Sequence, residues 1–378
     1  MKKPDLLIVG DSERDANLLY VIGAFLPDPV VYLRARGRSH LIVGDLDVAR
    51  AQKAAPRCKV LPLGSCLNRA ANGGRKLPVT LAEVIRTFVR ERKAGRLLVP
   101  DDFPLGLARD LRDLKVRLKV KPGPLFFPER EYKTADEVKK ISAAQLMAEV
   151  GMAEGIQALR LSKINPQGRL LYRGSPLTSQ RLRAVIESAV VQAGGLACRT
   201  IVACGRQAYD PHQIGHGPLR AHEPIVIDIF PRSQRTGYHG DITRTVVRGR
   251  ASEGLRQMYA AVLRAQRRAE ALMRPGVRAR DLHGAVDRAL AEGGFPTCRN
   301  NGRLRGFLHG AGHGIGLELH EPPRITASSP SVLAEDHVLA IEPGLYYPQV
   351  GGVRLEDVYH LARSGPRNLT KFEKVLEV

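Results

Sequence analysis

The sequence lacks the features that would place the protein outside the cell or in a membrane. Its five cysteines are odd in number and show neither a CxxC pair nor zinc-finger spacing, so we expect reduced, mostly buried thiols. No run approaches the roughly 20 apolar residues that a membrane span needs. The first apolar run ends at Asp11 and Glu13, too early for the core of a signal peptide. We therefore expect a cytoplasmic protein with no membrane partner.

Acidic and aromatic residues are also scarce. The 38 acidic residues face 59 basic ones, which gives a formal net charge of +21, while aromatic residues make up 5% and tryptophan is absent. Such a charge suggests contact with nucleic acid. In segment 252–276, however, Arg256, Arg264, Arg267 and Arg268 lie off the apolar stripe of an amphipathic helix, with no interleaved aromatics. We expect salt-sensitive adsorption to polyanions and no dedicated nucleic-acid site.

The length of 378 residues, with 43% hydrophobic and 26% charged residues, predicts a globular protein of two domains, 1–130 and 131–378. In the first domain, short apolar runs alternate with helical patterns, which is typical of an α/β layer. The predicted strands are 6–10, 30–34, 39–44, 59–64 and 96–100. The predicted helices are 16–23, 47–55 and 80–95. The segment 121–131 contains three prolines and is the predicted linker.

The second domain is predicted to mix helices with hairpins, without βαβ regularity, and therefore to be α+β. Thr134 and Glu137 form a T-x-x-E capping box where its first helix begins. A second helix is predicted from Thr178 to Gly194, and another covers 280–294. Apolar strands that carry acidic residues lie between and after these helices.

Two of these strands form a predicted hairpin with an acid on each arm. The runs 225–230 (IVIDIF) and 240–247 (GDITRTVV) flank a turn-rich connection. Because side chains alternate along a strand, Asp228 and Asp241 can lie side by side on one face.

A second predicted hairpin joins 338–347 to 351–360 and carries Glu342 and Glu356. Four carboxylates in apolar strands would repel one another and raise their pKa values unless cations lie between them. About two divalent ions would satisfy the set. A metal-activated water, and therefore hydrolysis, is the chemistry that such a site favours.

The most specific segment is HGAGHGIGLELHE, residues 309–321. Its alternating glycines leave the backbone without bulk, so His309, His313 and His320 can approach a ligand closely. Taken singly, each acid has an ordinary explanation as a turn, cap or solvated residue. Taken together with this segment, the four acids favour a metal site, and an imidazole ligand suits Mn, Co or Zn.

These strings resemble the motifs of the pita-bread metallopeptidases: methionine aminopeptidase, aminopeptidase P, prolidase and the metal-free creatinase. The strings D…D-x-T-R, H-G-x-G-H-G-x-G-L-x-x-H-E, E-P-G and V-R-x-E-D occur in the family's order within 134–378. The first domain resembles the amino-terminal domain of the creatinase, prolidase and aminopeptidase P branch in length and α/β pattern. The resemblance implies an α/β creatinase-like domain followed by an α+β pita-bread catalytic domain.

The resemblance also implies two divalent metal ions, with Mn, Co and Zn as candidates. The implied ligands are Asp228, Asp241, His313, Glu342 and Glu356. Asp228 would bind one metal with both oxygens, whereas Asp241 and Glu356 would bridge the two. Arg354 would orient the carboxylates through bidentate hydrogen bonds.

Four residues have implied catalytic roles. Glu342 is the position that the family uses as general base for the attacking water. His320 would stabilise the tetrahedral intermediate, and His309 would line the site. His212 lies near the family's substrate-binding histidine, although His216 competes for that role.

The implied function is a dinuclear Xaa-Pro peptidase, either an aminopeptidase or a dipeptidase, which acts on proline-containing peptides as an expected homodimer. Phe230-Pro231 and a longer 228–241 loop depart from the family pattern and concern substrate preference. The alternatives are a methionine aminopeptidase-like enzyme, disfavoured by the long first domain, and a metal-free creatinase-like hydrolase, disfavoured by the complete ligand set. A third alternative is a non-catalytic binding protein of the same fold, which the charge of +21 keeps open.

Overall fold

A computed structural model describes residues 4–71, 78–300 and 302–378. The chain divides into two compact units, Met1–Pro128 and Glu129–Val378. The predicted division into domains 1–130 and 131–378 stays a prediction. Within the described residues, no helix is long and apolar enough to cross a membrane.

The first unit is a mixed β-sheet with helices. Its strands are β1 Leu6–Gly10, β2 Val30–Ala35, β3 Arg38–Val43, β4 Lys59–Pro62, β5 Leu97–Val99 and β6 Leu118–Val120. Its helices are α1 Ala16–Ile22, α2 Val48–Ala54, α3 Leu63–Ala71, α4 Leu81–Glu91 and α5 Leu105–Asp113. The strand order is β4-β3-β2-β1-β5-β6. Neighbouring strands are antiparallel from β1 to β3 and parallel elsewhere.

The sheet of the first unit is buried on both faces. Leu7 belongs to one hydrophobic cluster, whereas Leu6 and Ile8 belong to another, because successive side chains of a strand point to opposite faces. The predicted strand 59–64 is too long, since α3 begins at Leu63. The sequence pattern also missed α3, α5 and β6, which are short elements whose apolar residues do not distinguish helix from strand.

The second unit contains α6 Ala135–Arg160, α7 Ser179–Gln192, α8 Glu253–Leu272 and α9 Ala279–Glu292. The predicted capping box is present: Glu137 N–H donates to Thr134 Oγ1 at 3.3 Å, and Thr134 N–H donates to a Glu137 carboxylate oxygen at 2.8 Å. The hydroxyl of Thr178 caps α7. The mixture of helices and hairpins is therefore the predicted α+β arrangement.

The strands of the second unit are mostly short and antiparallel. They are β7 Lys163–Ile164, β8 Leu170–Tyr172, β9 Ser175–Pro176, β10 Gly195–Leu196, β11 Ile201–Cys204, β12 Ile225–Ile229, β13 Arg232–Ser233, β14 Ile242–Val246, β15 Cys298–Asn300, β16 Arg303–Arg305, β17 Gly312–Gly314, β18 Glu321–Ile325, β19 Val338–Ile341, β20 Gly344–Tyr347, β21 Gly351–Arg354, β22 Asp357–Ala362 and β23 Gly365–Asn368.

Three sheets of this unit position the acidic residues. Their strand orders are β11-β12-β14, β18-β17-β19-β22-β23 and β20-β21. One hydrophobic cluster joins α6 and α7 to β11, β12 and β14, and another joins α8 and α9 to β19–β22. Each set of strands thus has a pair of helices packed against it.

Candidate metal centre

The first predicted hairpin is present and places two acids on one face. Strands β12 and β14 are antiparallel, and Asp228 is paired with Thr243. Asp241 precedes β14 and lies two residues before Thr243, so it shares the face of Asp228. Both aspartates are buried.

The second predicted hairpin is interrupted at the two glutamates. Strands β19 and β22 pair up to Ile341 and Asp357, while the separate pair β20 and β21 begins at Gly344 and Arg354. The predicted hairpin is therefore present, with a break in its ladder. Glu342 and Glu356 lie in the interruption.

The backbone groups in this interruption bond to other strands. The N–H of Glu342 donates to the carbonyl of Ala311 at 3.0 Å, and the N–H of Glu356 donates to that of Thr243 at 3.1 Å. Pro343 has no N–H to donate. The glutamates are thus fixed against the strand of His313 and the first hairpin.

His313 comes from a strand that is enclosed on both sides. Strand β17 lies between β18 and β19, and a Cβ at Gly312 would lie 2.0 Å from the carbonyl oxygen of Ala340. A side chain at that position would push the two strands apart. The glycine that precedes His313 is therefore required by the close approach of β19.

The five predicted metal ligands line one cavity of about 290 Å³. His313 Nε2 lies 3.6 Å from Asp241 Oδ2 and 3.8 Å from Glu342 Oε1. Donor atoms of Asp241, His313 and Glu356 all lie within 4.8 Å of one another. Asp228 Oδ1 is buried and has no hydrogen-bond partner among the described residues.

Without a metal, this cavity disfavours negative charge. Burial and the neighbouring carboxylates raise the pKa of Asp241 and of Glu356 well above the ordinary values. Burial, followed by the charge of Asp228, raises the pKa of Glu342 to about 7. Arg354 donates to Asp228 Oδ2 at 2.7 Å, but one guanidinium cannot balance four carboxylates.

This donor set fits divalent cations. Carboxylate oxygens suit hard ions such as Mn²⁺, and a neutral imidazole extends the choice to Co²⁺ and Zn²⁺. Burial lowers the pKa of His313 to about 3, so its ring is neutral and able to bind a metal. An unpartnered buried carboxylate oxygen on Asp228 is a further place for a cation.

The other predicted histidines are divided between cavity and surface. His212, His309 and His320 line the cavity, whereas His216 is not among its lining residues. Burial lowers the pKa of His309 to about 3, and Nε2 of that ring lies 2.8 Å from the hydroxyl of Tyr346. The rings of His313 and His320 are 4.4 Å apart. The geometry favours His212 over its rival.

Three residues of the site were missed from the sequence. Thr243 donates from its hydroxyl to Glu356 Oε2 at 2.7 Å, and the Tyr346 hydroxyl accepts from Arg354 Nη1 at 2.8 Å. Arg324 lines the cavity. The available signal was a polar residue within an apolar strand, since Thr243 and Tyr346 both lie in strands that carry or flank the predicted ligands.

Four carboxylates and an imidazole that lie in or next to strands of separate sheets converge on one cavity and form a candidate divalent-metal centre of the hydrolytic type. Residues 139–362 match the model of metallopeptidase family M24. The chain belongs to this family, and the family implies divalent metal ions as cofactors.

The chain is similar to known Xaa-Pro peptidases. It is 38% identical to the Xaa-Pro dipeptidase of Pyrococcus furiosus over 178 residues, which is 47% of this chain and 48% of that protein. The solved prolidase of Pyrococcus furiosus matches with a TM-score of 0.78 and 24% identity over 98% of this chain and 97% of that one. The solved X-Pro aminopeptidase of Thermotoga maritima matches with a TM-score of 0.81 and 23% identity, over 99% of this chain and 97% of that one.

These structures confirm the fold, an α/β creatinase-like domain followed by a pita-bread catalytic domain. Their identities lie below 25%, so they support the fold and not the activity. In sequence, the chain matches about half the length of the first curated relatives. The similarity therefore does not by itself assign an activity to the chain or a role to each side chain.

Proposed function

We propose that the protein is a dinuclear metallopeptidase that hydrolyses the bond between an N-terminal residue and proline. The observation that carries this proposal is the convergence of Asp228, Asp241, His313, Glu342 and Glu356 on one cavity of about 290 Å³, in a chain of metallopeptidase family M24. The similarity to Xaa-Pro dipeptidases supports the substrate class.

The five side chains would hold two divalent cations, with Mn, Co and Zn as candidates. When bound, these ions would polarise the scissile carbonyl and lower the pKa of water. Asp228, His313 and Glu342 would each help to hold an ion, and Asp241 and Glu356 would contribute to holding both.

The remaining steps belong to the side chains. Glu342 takes the proton of the attacking water, for which a carboxylate is suited because its pKa in the unloaded site is about 7. His320 donates a hydrogen bond to the oxygen that gains negative charge. His309 is held by Tyr346 and lines the substrate side, and His212 contacts the peptide at the rim.

We further propose that dipeptides are preferred over longer peptides. Arg324 is exposed and lines the cavity, and its guanidinium has no hydrogen bond or ion pair with any residue in the described ranges. Its positive charge lowers the pKa values of His320 and Glu342, which line the same cavity. In an Xaa-Pro dipeptide the carboxylate follows proline directly and would pair with this arginine.

The test is turnover on matched peptides after loading with Mn or Co. Ala-Pro carries its carboxylate on the proline, its amide carries no carboxylate, and Ala-Pro-Ala carries the carboxylate one residue further on. We expect cleavage of all Xaa-Pro bonds, with Ala-Pro favoured, and no cleavage of Ala-Ala. Arg324→Gln should raise KM for Ala-Pro without changing KM for the amide, whereas Arg363→Gln, at an exposed position outside the cavity, should change neither. Absence of cleavage in a metal-loaded protein contradicts the proposed function.

A further inference from the structure

A second group of buried charges lies beside the metal centre and is not part of it. Glu321 is 1% exposed, and it contacts Arg130 and Lys133, which are 3% and 2% exposed. Its two oxygens are divided between them: Arg130 Nη2 lies 2.5 Å from Oε1, and Lys133 Nζ lies 2.9 Å from Oε2. We call these three residues the Glu321 cluster.

The cluster is built for a charged carboxylate. Burial alone would raise the pKa of Glu321, but Lys133 and Arg130 outweigh burial and lower it below the ordinary value. Lys133 Nζ also donates to the backbone carbonyl of Arg130. Buried charges are retained only where partners satisfy them, and removing one partner leaves the others uncompensated. Apolar residues of similar volume would often stabilise the fold as well as a buried ion pair does. The contacts that the charged groups make with the neighbouring backbone are therefore the feature to explain.

The segment that the cluster holds is the bend 316–320, which ends at His320. This bend has no regular secondary structure, so its shape depends on a few bonds. The N–H of Glu318 donates to Glu321 Oε1 at 3.1 Å, and the N–H of Gly316 donates to the carbonyl of Glu318 at 3.1 Å. The carboxylate of Glu321 therefore closes the bend from its far end.

Gly316 shows how tightly the bend is packed on the cluster. A Cβ at Gly316 would lie 2.6 Å from Glu321 Oε2 and 3.0 Å from Lys133 Cε. The carbonyl of Gly316 also accepts from the N–H of His239 at 2.9 Å. Gly316 and Glu321 are thus fixed, and Leu319 and His320, which lie between these two residues, line the cavity.

We infer that Glu321, held by Arg130 and Lys133, is a positioning residue that keeps His320 beside His313 in the geometry that the reaction requires. His320 is exposed and lies on a bend, so packing alone does not fix its ring, whose centroid lies 4.4 Å from that of the buried His313. A displacement of about 1 Å at a reacting group can cost on the order of 100-fold in rate. Arg130 and Lys133 precede the family match at 139–362, so the match does not assign them this role.

This inference rests on the proposed function for its kinetic test. Glu321→Gln should lower kcat by about 10- to 100-fold with KM and metal content unchanged. Glu318→Gln is the matched control, because Glu318 contacts the same Arg130 at 2.7 Å but is 52% exposed. It should change kcat by less than about 2-fold. Lys133→Met combined with Glu321→Gln removes one charge of each sign, and it keeps the test available if the single variant does not fold.

A double-mutant cycle separates positioning from general structural damage. If Glu321 acts through His320, the effect of Glu321→Gln on kcat should disappear in a His320→Ala background. If Glu321→Gln lowers kcat by the same factor in the His320→Ala background as in the wild type, the inference is overturned.

Backbone amide exchange gives a readout that does not need activity. Glu321→Gln should speed amide exchange within 316–321 and leave the exchange rates in the strands of the metal ligands unchanged. Glu318→Gln should not speed exchange within 316–321. Unchanged exchange within 316–321 overturns the inference. A wild-type protein that cleaves no Xaa-Pro peptide contradicts the proposed function, and exchange alone then decides whether the cluster anchors His320.

Discussion

Arg354 donates a hydrogen bond of 2.7 Å from Nη2 to Asp228 Oδ2, and both groups are buried. The same guanidinium donates from Nη1 to the Tyr346 hydroxyl at 2.8 Å, and Tyr346 in turn lies 2.8 Å from His309. One arginine therefore links an expected metal ligand, through Tyr346, to a histidine that lines the same cavity. A planar guanidinium can make both contacts at once because its donors form a fixed fork.

Replacing this fork should weaken the site without removing its charge. Arg354→Lys keeps one positive charge but cannot bond Asp228 and Tyr346 together, so we expect a loss of about 10- to 100-fold in metal affinity or kcat/KM. Titration of the metal-free protein with Mn or Co measures the affinity. Arg363→Lys, on the surface, is the control and should have no effect. Equal affinities in the two variants would show that Arg354 does not orient Asp228.

The number of metal ions per chain follows from the donor set. We expect about two equivalents after gentle loading, measured by elemental analysis, because the four clustered carboxylates carry four negative charges, which two divalent ions balance. His313→Ala should lower the number, while His216→Ala should leave it unchanged since His216 does not line the cavity. A reproducible content near zero in the wild type, with all five side chains intact, would reject the ligand assignment.

The general-base role of Glu342 can be tested by replacing its carboxylate with the amide of glutamine. Glu342→Gln keeps the size of the side chain and a weak ligand oxygen but cannot take a proton from water. We expect kcat to fall by about 10²- to 10⁴-fold while the fold is retained. Glu335→Gln, at an exposed position, is the control. Unchanged turnover in Glu342→Gln would move the base elsewhere, with Glu356 the first residue to test.

Glu342→Gln should also change the stability of the metal-free protein and its dependence on pH. The folded pKa of Glu342, about 7, lies above its ordinary value of 4.5, so the folded state binds the proton more tightly than the unfolded state. Stability from this group is therefore present below about pH 4.5 and is lost as the pH rises toward 7. Glutamine does not ionise and should escape this loss.

We expect metal-free Glu342→Gln to gain stability relative to the metal-free wild type between pH 4.5 and pH 8. The gain is on the order of 3 kcal/mol, and urea unfolding in the presence of a chelator measures it at each pH. After metal loading the order should reverse, because the amide is the weaker ligand. A stability difference that does not vary with pH would mean that Glu342 is already ionised in the acidic range.

Much of the site could be predicted because metal ligation selects for residue type and strand alternation. Asp228, Asp241, Glu342 and Glu356 are carboxylates in apolar runs, which local sequence alone makes unusual. All of them line one cavity together with His313. In contrast, the choice of His212 over His216 came from the resemblance and not from local pattern, since both lie in the same short loop, and it is the cavity lining that distinguishes them.

The sequence by itself determined the two fold classes, the capped start of α6 and the chemical type of the metal donors, because periodicity, capping and ligand chemistry are local properties. Only the tertiary structure decided the break at Glu342 and Glu356, the link from Arg354 to Tyr346 and the contact of Glu321 with Arg130, which lies 191 positions earlier. These relationships join residues that are far apart in the chain. Their geometry depends on how sheets and bends pack, and no pattern within a single segment carries that information.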